Sequence, residues 1–78
     1  MKKKEMSFRV VYRPEPEGGY TVFVPSLPGC ITYGETMDEA AVMARDAIKC
    51  YLQSMKKHSE KLYDDSRTFE GLLTLKYA

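Results

Sequence analysis

The sequence predicts an α+β fold: a three-stranded antiparallel meander, one long helix and a fourth strand, in the order β-β-β-α-β. Three observations carry this prediction. Apolar and polar residues alternate in three short segments, which turns containing proline or glycine separate. A capped amphipathic segment with the period of a helix follows them. A last alternating segment comes after the helix.

The first strand is indicated by Phe8, Val10 and Tyr12, which alternate with residues of the opposite face. Residues 14–19 contain two prolines and two glycines and predict a chain reversal. A second strand is predicted over residues 20–24 and a third over residues 30–34. Short strands joined by short connectors are typical of an antiparallel meander.

The helix is predicted from about residue 37 to about residue 57. Thr36 and Glu39 have the spacing of a capping box, in which a hydroxyl and a carboxylate bind otherwise unpaired amides. Acidic residues in the first turn and basic residues in the last turn match the helix dipole. The apolar side chains recur at spacings of three and four and form one stripe: Met37, Ala40, Ala41, Ala44, Ile48, Tyr51, Leu52 and Met55.

Residues 59–66 are predicted as a loop, and the fourth strand is predicted around residues 69–77, where Leu73 and Leu75 alternate with Leu72 and Thr74. One helix covers only one face of a sheet, yet the first and last strands carry apolar residues on both faces. An uncovered apolar face or edge is an interaction site. We therefore expect the chain to form a homo-oligomer, a dimer or higher.

A chain of 78 residues predicts one domain over residues 1–78, with a flexible charged tail at residues 1–5. The 12 basic and 11 acidic residues nearly balance, which argues against a dedicated nucleic-acid binder. No signal peptide and no membrane-spanning segment are predicted, so we expect a cytoplasmic protein without a membrane partner.

Catalytic chemistry finds little support in the sequence. His58 is the single histidine and lies in a lysine-rich helix end, where capping is its expected role. Cys30 and Cys50 lack the spacing of a metal site and are expected to be free thiols. The paired acids fall in turns or at the helix start. We therefore predict no enzyme, no metal and no cofactor.

The most specific segment spans residues 17–41. It contains in succession Gly18-Gly19-Tyr20, Pro25-Ser26-Leu27-Pro28-Gly29-Cys30, Gly34-Glu35-Thr36 and Asp38-Glu39-Ala40. In this combination, over residues 7–55 and less closely in the last strand, the chain resembles the HicB-like antitoxins of toxin–antitoxin systems.

The resemblance implies a partial RNase H-like fold, in which the fourth strand lies parallel to the first and the sheet order is 3-2-1-4. A strand–helix–strand crossover is the usual route to such a parallel neighbour. An RNase H site requires several carboxylates that converge from strands and helix. The first strand carries no acid, and Asp46 falls on the polar helix face, so the resemblance concerns the fold and not its activity.

The resemblance also implies a partner, a HicA-like toxin: a small RNA-cleaving protein with a double-stranded-RNA-binding-like fold and a catalytic histidine, whose site the antitoxin blocks. Many members carry a C-terminal DNA-binding domain, for which we expect no room in this sequence. From exposure and chemistry, the predicted toxin-binding residues are Pro25, Ser26, Leu27, Pro28, Gly29, Cys30, Tyr33 and Glu35.

Acidic groups such as Glu15, Glu17 and Glu35 would complement a basic RNA-cleaving partner. Other functions remain open at this point. The sheet aromatics could stack on bases, which would make the chain a weak nucleic-acid-binding domain; a stand-alone regulatory domain of the same fold is also open. A metal-dependent hydrolase would depend on Asp38 or Asp46.

Overall fold

The computed structural model describes residues 5–77. Three strands come first: β1 (Val11–Pro14), β2 (Tyr20–Phe23) and β3 (Ile31–Gly34). The helix α1 (Met37–Lys57) follows them. The predicted meander and the predicted helix are thus confirmed. Of the predicted flexible tail at residues 1–5, all but Glu5 lies outside the described residues.

The three strands form one antiparallel sheet in the order β1-β2-β3. Val11 lies opposite Phe23, and Phe23 lies opposite Ile31, so these residues form a row across the sheet. The neighbouring row is Tyr12, Val22 and Thr32. Because side chains alternate along a strand, the two rows lie on opposite faces. The row with the fully buried Val22 faces the helix.

The start of α1 confirms the predicted capping box with one difference. The Glu39 amide donates to the Thr36 hydroxyl at 3.1 Å, as expected. The Glu39 carboxylate accepts from the amide of Glu35 at 2.7 Å, one residue before the cap. Asp38 and Glu39 lie in the first turn, and Lys56 and Lys57 lie in the last. Both charge pairs match the helix dipole and stabilise these ends.

Small residues let α1 lie close to the sheet. Ala40 is completely buried and Ala44 nearly so, and both pack with Val22 in the first core cluster. A Cβ atom on Gly34 would overlap with the backbone N and Cα of Ala40. The absence of a side chain at position 34 therefore fixes how closely the helix approaches β3.

A second core cluster fills the other end of the sheet. Its buried members are Val24, Leu27 and Cys30, all of which follow the end of β2. Phe8 and Ile48 are among the partly buried residues packed against them. Cys30 and Cys50 are both free thiols, as predicted. Burial raises the pKa of the Cys30 thiol, whereas Cys50 is exposed on the helix.

The predicted fourth strand is not formed between residues 5 and 77. Residues 69–77, which we call the arm, pair with no strand, and the sheet order 3-2-1-4 is therefore not observed in the single chain. Leu73 is 91% exposed and Leu75 is 85% exposed. Alternation shows that a segment is suited to a sheet, but a strand also needs a neighbour that accepts its hydrogen bonds.

The approach of α1 to the sheet predicts the effect of Gly34→Ala. The added methyl group would overlap with Ala40, and we expect a loss of about 1–3 kcal/mol in the free energy of unfolding. Urea denaturation followed by circular dichroism measures it. Asp46→Ala, on the exposed helix surface, is the control and should stay within about 0.5 kcal/mol of the parent. Equal stability of the two variants would contradict the tight helix–sheet contact.

Candidate protein-binding site

The face of the sheet opposite α1 carries an apolar row. Val11 and Phe23 are half-buried there, and Ile31 is 65% exposed. No other element of residues 5–77 packs over this row, because the single helix lies on the other face. We call this surface the outer face. An exposed branched residue next to an aromatic one offers the apolar centre that a protein interface needs.

A polar row lies beside it, formed by Arg13, Thr21 and Tyr33, which are register partners. The Thr21 hydroxyl donates to the Glu15 carboxylate at 2.5 Å, and Arg13 Nε donates to the same carboxylate oxygen at 3.3 Å. The hydrogen bond from Thr21 is the main reason that the pKa of Glu15 is lowered. Glu15 therefore stays ionised at the edge of the outer face.

Tyr33 lies among four carboxylates, which we call the acidic rim: Glu15, Glu17, Glu35 and Glu39. Its hydroxyl donates to the carbonyl oxygen of Gly18 at 3.0 Å, which holds the ring over the β1–β2 turn. The pKa of Tyr33 is raised, first by desolvation and then by the negative charges of Glu35, Glu17, Glu15 and Glu39. The rim thus brings together carboxylates that lie far apart in the sequence.

Gly19 explains why the ring can take this place. Its φ of 78° lies in the left-handed region, and a Cβ atom there would overlap with the Tyr33 ring. The motif Gly18-Gly19 thus supplies both the turn and the space for Tyr33.

The connector of residues 25–30 is held from several sides. The Leu27 amide donates to the Val24 carbonyl at 2.9 Å, and the Cys30 amide donates to the Leu27 carbonyl at 2.9 Å. On the helix side, the Tyr51 hydroxyl donates to the Pro28 carbonyl at 2.9 Å. These bonds make the connector a fixed part of the surface.

Asp65 fastens the connector to the start of the first strand region. Its carboxylate accepts hydrogen bonds from the Ser26 hydroxyl and from the Arg9 amide, the latter at 2.8 Å. Its own amide donates to the Ser7 carbonyl at 2.6 Å. The side chain is only 5% exposed, and the hydrogen bond from Ser26, followed by that from Arg9, lowers its pKa. We call this arrangement the Asp65 clamp.

The structure divides the predicted binding residues into two groups. Leu27 and Cys30 are buried at 2% and 5% exposure, so they support the surface from below and are not available to a partner. The other six are surface residues: Pro25, Ser26, Pro28, Gly29, Tyr33 and Glu35. Both residues were expected at the surface, and they are buried because residues distant in sequence, among them Phe8 and Ile48, pack against them.

The sequence predicted an uncovered apolar face of the sheet, but the predicted toxin-binding residues did not include its apolar row. Period-two alternation would have identified it, since Val11 and Phe23 lie between residues that face the helix. Ile31 follows directly after the connector and joins the row to the predicted loop.

Nothing in the described part of the chain resembles a metal centre, because no group of three histidine, cysteine or acidic residues lies close enough together. His58 caps the helix end, with its Nδ1 atom 2.8 Å from the Ser54 carbonyl oxygen. Within residues 5–77, no helix is long and apolar enough to cross a membrane.

The lowered pKa of Asp65 predicts a pH dependence of stability. The folded state binds the proton less tightly than the unfolded state, whose pKa is about 3.9. The stabilisation is therefore present above that pH and is lost as the pH falls through the lower folded-state value.

Urea denaturation between neutral and strongly acidic pH, at one protein concentration, tests this expectation. Asp65→Asn should be less stable at pH 7 and should lose less of its remaining stability on acidification than the parent. Asp46→Asn is the control and should follow the parent curve, since Asp46 is an exposed helix residue. A parent-like acid loss in Asp65→Asn would contradict the role of the clamp.

The family model described as HicB_like antitoxin of bacterial toxin-antitoxin system matches residues 8–74. A UPF0150 protein of Thermoplasma acidophilum is 43% identical over 61 residues, which cover 78% of this chain and 88% of the relative. A UPF0150 protein of Archaeoglobus fulgidus is 42% identical over 55 residues, 70% of this chain and 78% of the relative.

A relative named Antitoxin HicB 1, from Photorhabdus laumondii, is 37% identical over 59 residues. These residues make up 76% of this chain and 38% of that longer protein. The family match includes all three strands, the helix, the connector and most of the arm. The chain belongs to the HicB-like antitoxin family of bacterial toxin–antitoxin systems.

Proposed function

We propose that this protein is a non-catalytic antitoxin module that binds a HicA-type RNA-cleaving toxin through the outer face of its sheet. The observation that carries the proposal is the exposed apolar row, bordered on one side by the acidic rim and on the other by the rigid connector. The sheet and the helix form the single toxin-binding domain. We place its action in the cytoplasm, where cellular RNA is cleaved.

The electrostatics favour a basic partner. Glu15, Glu17, Glu35 and Glu39 all act on Tyr33, so their negative potential converges at one end of the outer face. Complementary charge accelerates encounter and suppresses wrong partners. An enzyme that cleaves RNA has to present a positive surface to phosphates, and this surface fits the acidic rim.

The apolar row supplies the short-range apolar contact of the complex, after electrostatic attraction has brought the two proteins together. Ile31 is the most exposed member, and an apolar anchor at the centre of an interface contributes far more than residues at its edge. Glu35 and Tyr33 lie beside it and at the rim. The predicted binding residues Pro25, Ser26, Pro28 and Gly29 would contact the toxin around this centre, because the connector leads directly into Ile31.

A nucleic-acid-binding role has one observation in its favour, the position of the aromatic residues Phe23 and Tyr33 on the outer face. Exposed sheet aromatics stack on bases in many single-strand binders. The acidic rim works against this function, because the same carboxylates repel phosphates. Protein binding therefore accounts for more of the site than RNA binding does.

Calorimetric titration of a HicA-type toxin, inactivated at its catalytic histidine, tests the proposal. We expect Ile31→Asp to weaken binding by about tenfold or more, since it places a charge in the apolar centre. Glu35→Lys reverses a charge of the acidic rim, and salt screens this charge. The variant should therefore lose more affinity at low salt than at high salt.

The controls are matched in chemistry and exposure. Val42 is 58% exposed on the helix, so Val42→Asp makes the same change as Ile31→Asp on another surface and should leave the affinity unaltered. Asp46→Lys is the corresponding control for Glu35→Lys. Equal weakening by Ile31→Asp and Val42→Asp would refute the site. Absence of any complex at micromolar concentration, together with salt-dependent binding of single-stranded RNA, would favour the alternative function.

A further inference from the structure

The arm is the most exposed apolar segment of the described residues. Phe69, Leu72, Leu73, Leu75 and Tyr77 are between 85% and 97% exposed. A Cβ atom on Gly71 would meet nothing within 4 Å. Five large apolar side chains within nine residues, all in water, exceed what a soluble monomer normally displays.

The arm also projects from the rest of the chain. A compact chain of this length has a radius of gyration of about 11.5 Å, whereas the observed value is 14.9 Å. The longest dimension is 53 Å against 28 Å and 21 Å for the other two. No turn or bend occurs in residues 69–77, so the arm continues outward and does not fold back on its own helix.

The root of the arm is fixed. The Arg9 guanidinium donates twice to the Thr68 carbonyl oxygen, from Nη2 at 2.6 Å and from Nε at 3.1 Å. The Thr68 amide donates to the Asp65 carbonyl at 2.9 Å. The Asp65 clamp therefore holds the chain up to residue 68, and the extended segment begins immediately afterwards.

The same molecule has a vacant position of matching chemistry. The strand β1 pairs with β2 on one side, and its other edge has no partner within residues 5–77. Beside this edge lies a groove of about 300 Å³ between β1 and α1. Its apolar lining includes Val10, Tyr12 and Ile48. The first core cluster ends here, because α1 packs mainly over β2 and β3.

We propose that the arm of each copy pairs with the free edge of β1 in a second copy and covers the groove there, so that two chains exchange their fourth strands. Each chain supplies one arm and one groove, so a two-fold axis satisfies both at once. The exchange completes a four-stranded sheet in the order 3-2-1-4, with the fourth strand contributed by the partner copy. It buries the arm and protects an open edge.

The second copy is a better occupant than an unrelated protein because both complementary parts belong to the same chain. The arm has nine residues and spans about 30 Å when extended, which exceeds the length of β1 and reaches along the groove. The exchange leaves the outer face open, so this inference does not depend on the proposed toxin.

The first test is the molar mass in solution, measured by sedimentation equilibrium. The full chain should have twice its monomer mass of 9.0 kDa. The double variant Leu73→Asp/Leu75→Asp should fall to the monomer mass, because it places charges in the partner's groove. The control Val42→Asp/Met43→Asp changes two exposed helix residues and should remain dimeric. A parent chain that is monomeric, or an arm variant that stays dimeric, would overturn the proposal.

The second test keeps the apolar residues of the arm. It therefore does not depend on whether the variant Leu73→Asp/Leu75→Asp folds. A nitroxide is attached to Lys76→Cys in a Cys50→Ser background. The remaining Cys30 is 5% exposed, and its raised thiol pKa disfavours labelling. An excess of this spin-labelled protein is mixed with a ¹⁵N-labelled chain that carries no nitroxide, and both are allowed to exchange subunits.

Strand exchange predicts that the amide signals of Tyr12 and Ile48 broaden in the chain without nitroxide, because the arm of the labelled copy lies in its groove. A second sample carries nitroxide and ¹⁵N on the same chain. Broadening in this sample alone would show that the arm binds its own groove and would overturn the proposal. The absence of broadening in both the mixture and the second sample would overturn it as well. Loss of toxin binding alone would affect neither result.

Discussion

The single helix covers only one of the two faces of the sheet, and the other features of the molecule follow from this constraint. The 21 residues of α1 bury the inner row of the sheet through Ala40 and Ala44, and no second helix exists in residues 5–77 to cover the outer row. The close approach at Gly34 makes the covered side compact. The uncovered side keeps its apolar row and acquires an acidic border, and these two properties suit it to bind another protein.

The Asp65 clamp connects features that would otherwise be independent. One carboxylate binds the connector through Ser26 and the start of the first strand region through Arg9. Arg9 in turn holds Thr68, where the arm begins. A buried carboxylate depends on its donors, because removal of any one donor leaves a buried acceptor without that hydrogen bond. The rigidity of the connector and the direction of the arm therefore have a common origin.

Local patterns in the sequence predicted most of the fold. The capping box at Thr36 and the apolar stripe predicted both ends of the helix. Period-two alternation with glycine turns predicted the meander. The buried Leu27 and Cys30 were misassigned to the surface because the small core beneath the connector is formed by residues distant in sequence. The acidic rim around Tyr33 was only partly foreseen, since register brings its carboxylates together. The arm shows the limit of such reasoning: alternation identifies a strand but not the chain that pairs with it.

The clamp has a further consequence for the segment between the helix end and Asp65. The chain leaves α1 through Ser59, which takes the left-handed conformation at φ 55°, and the next residues, Glu60 and Lys61, are exposed. Both neighbours of this segment are independently anchored, the helix by its core contacts and Asp65 by its own hydrogen bonds. Extra residues inserted between Glu60 and Lys61 would cost little more than the entropy of closing a longer loop. This position is therefore where a reporter peptide can be placed without disturbing the connector or the root of the arm.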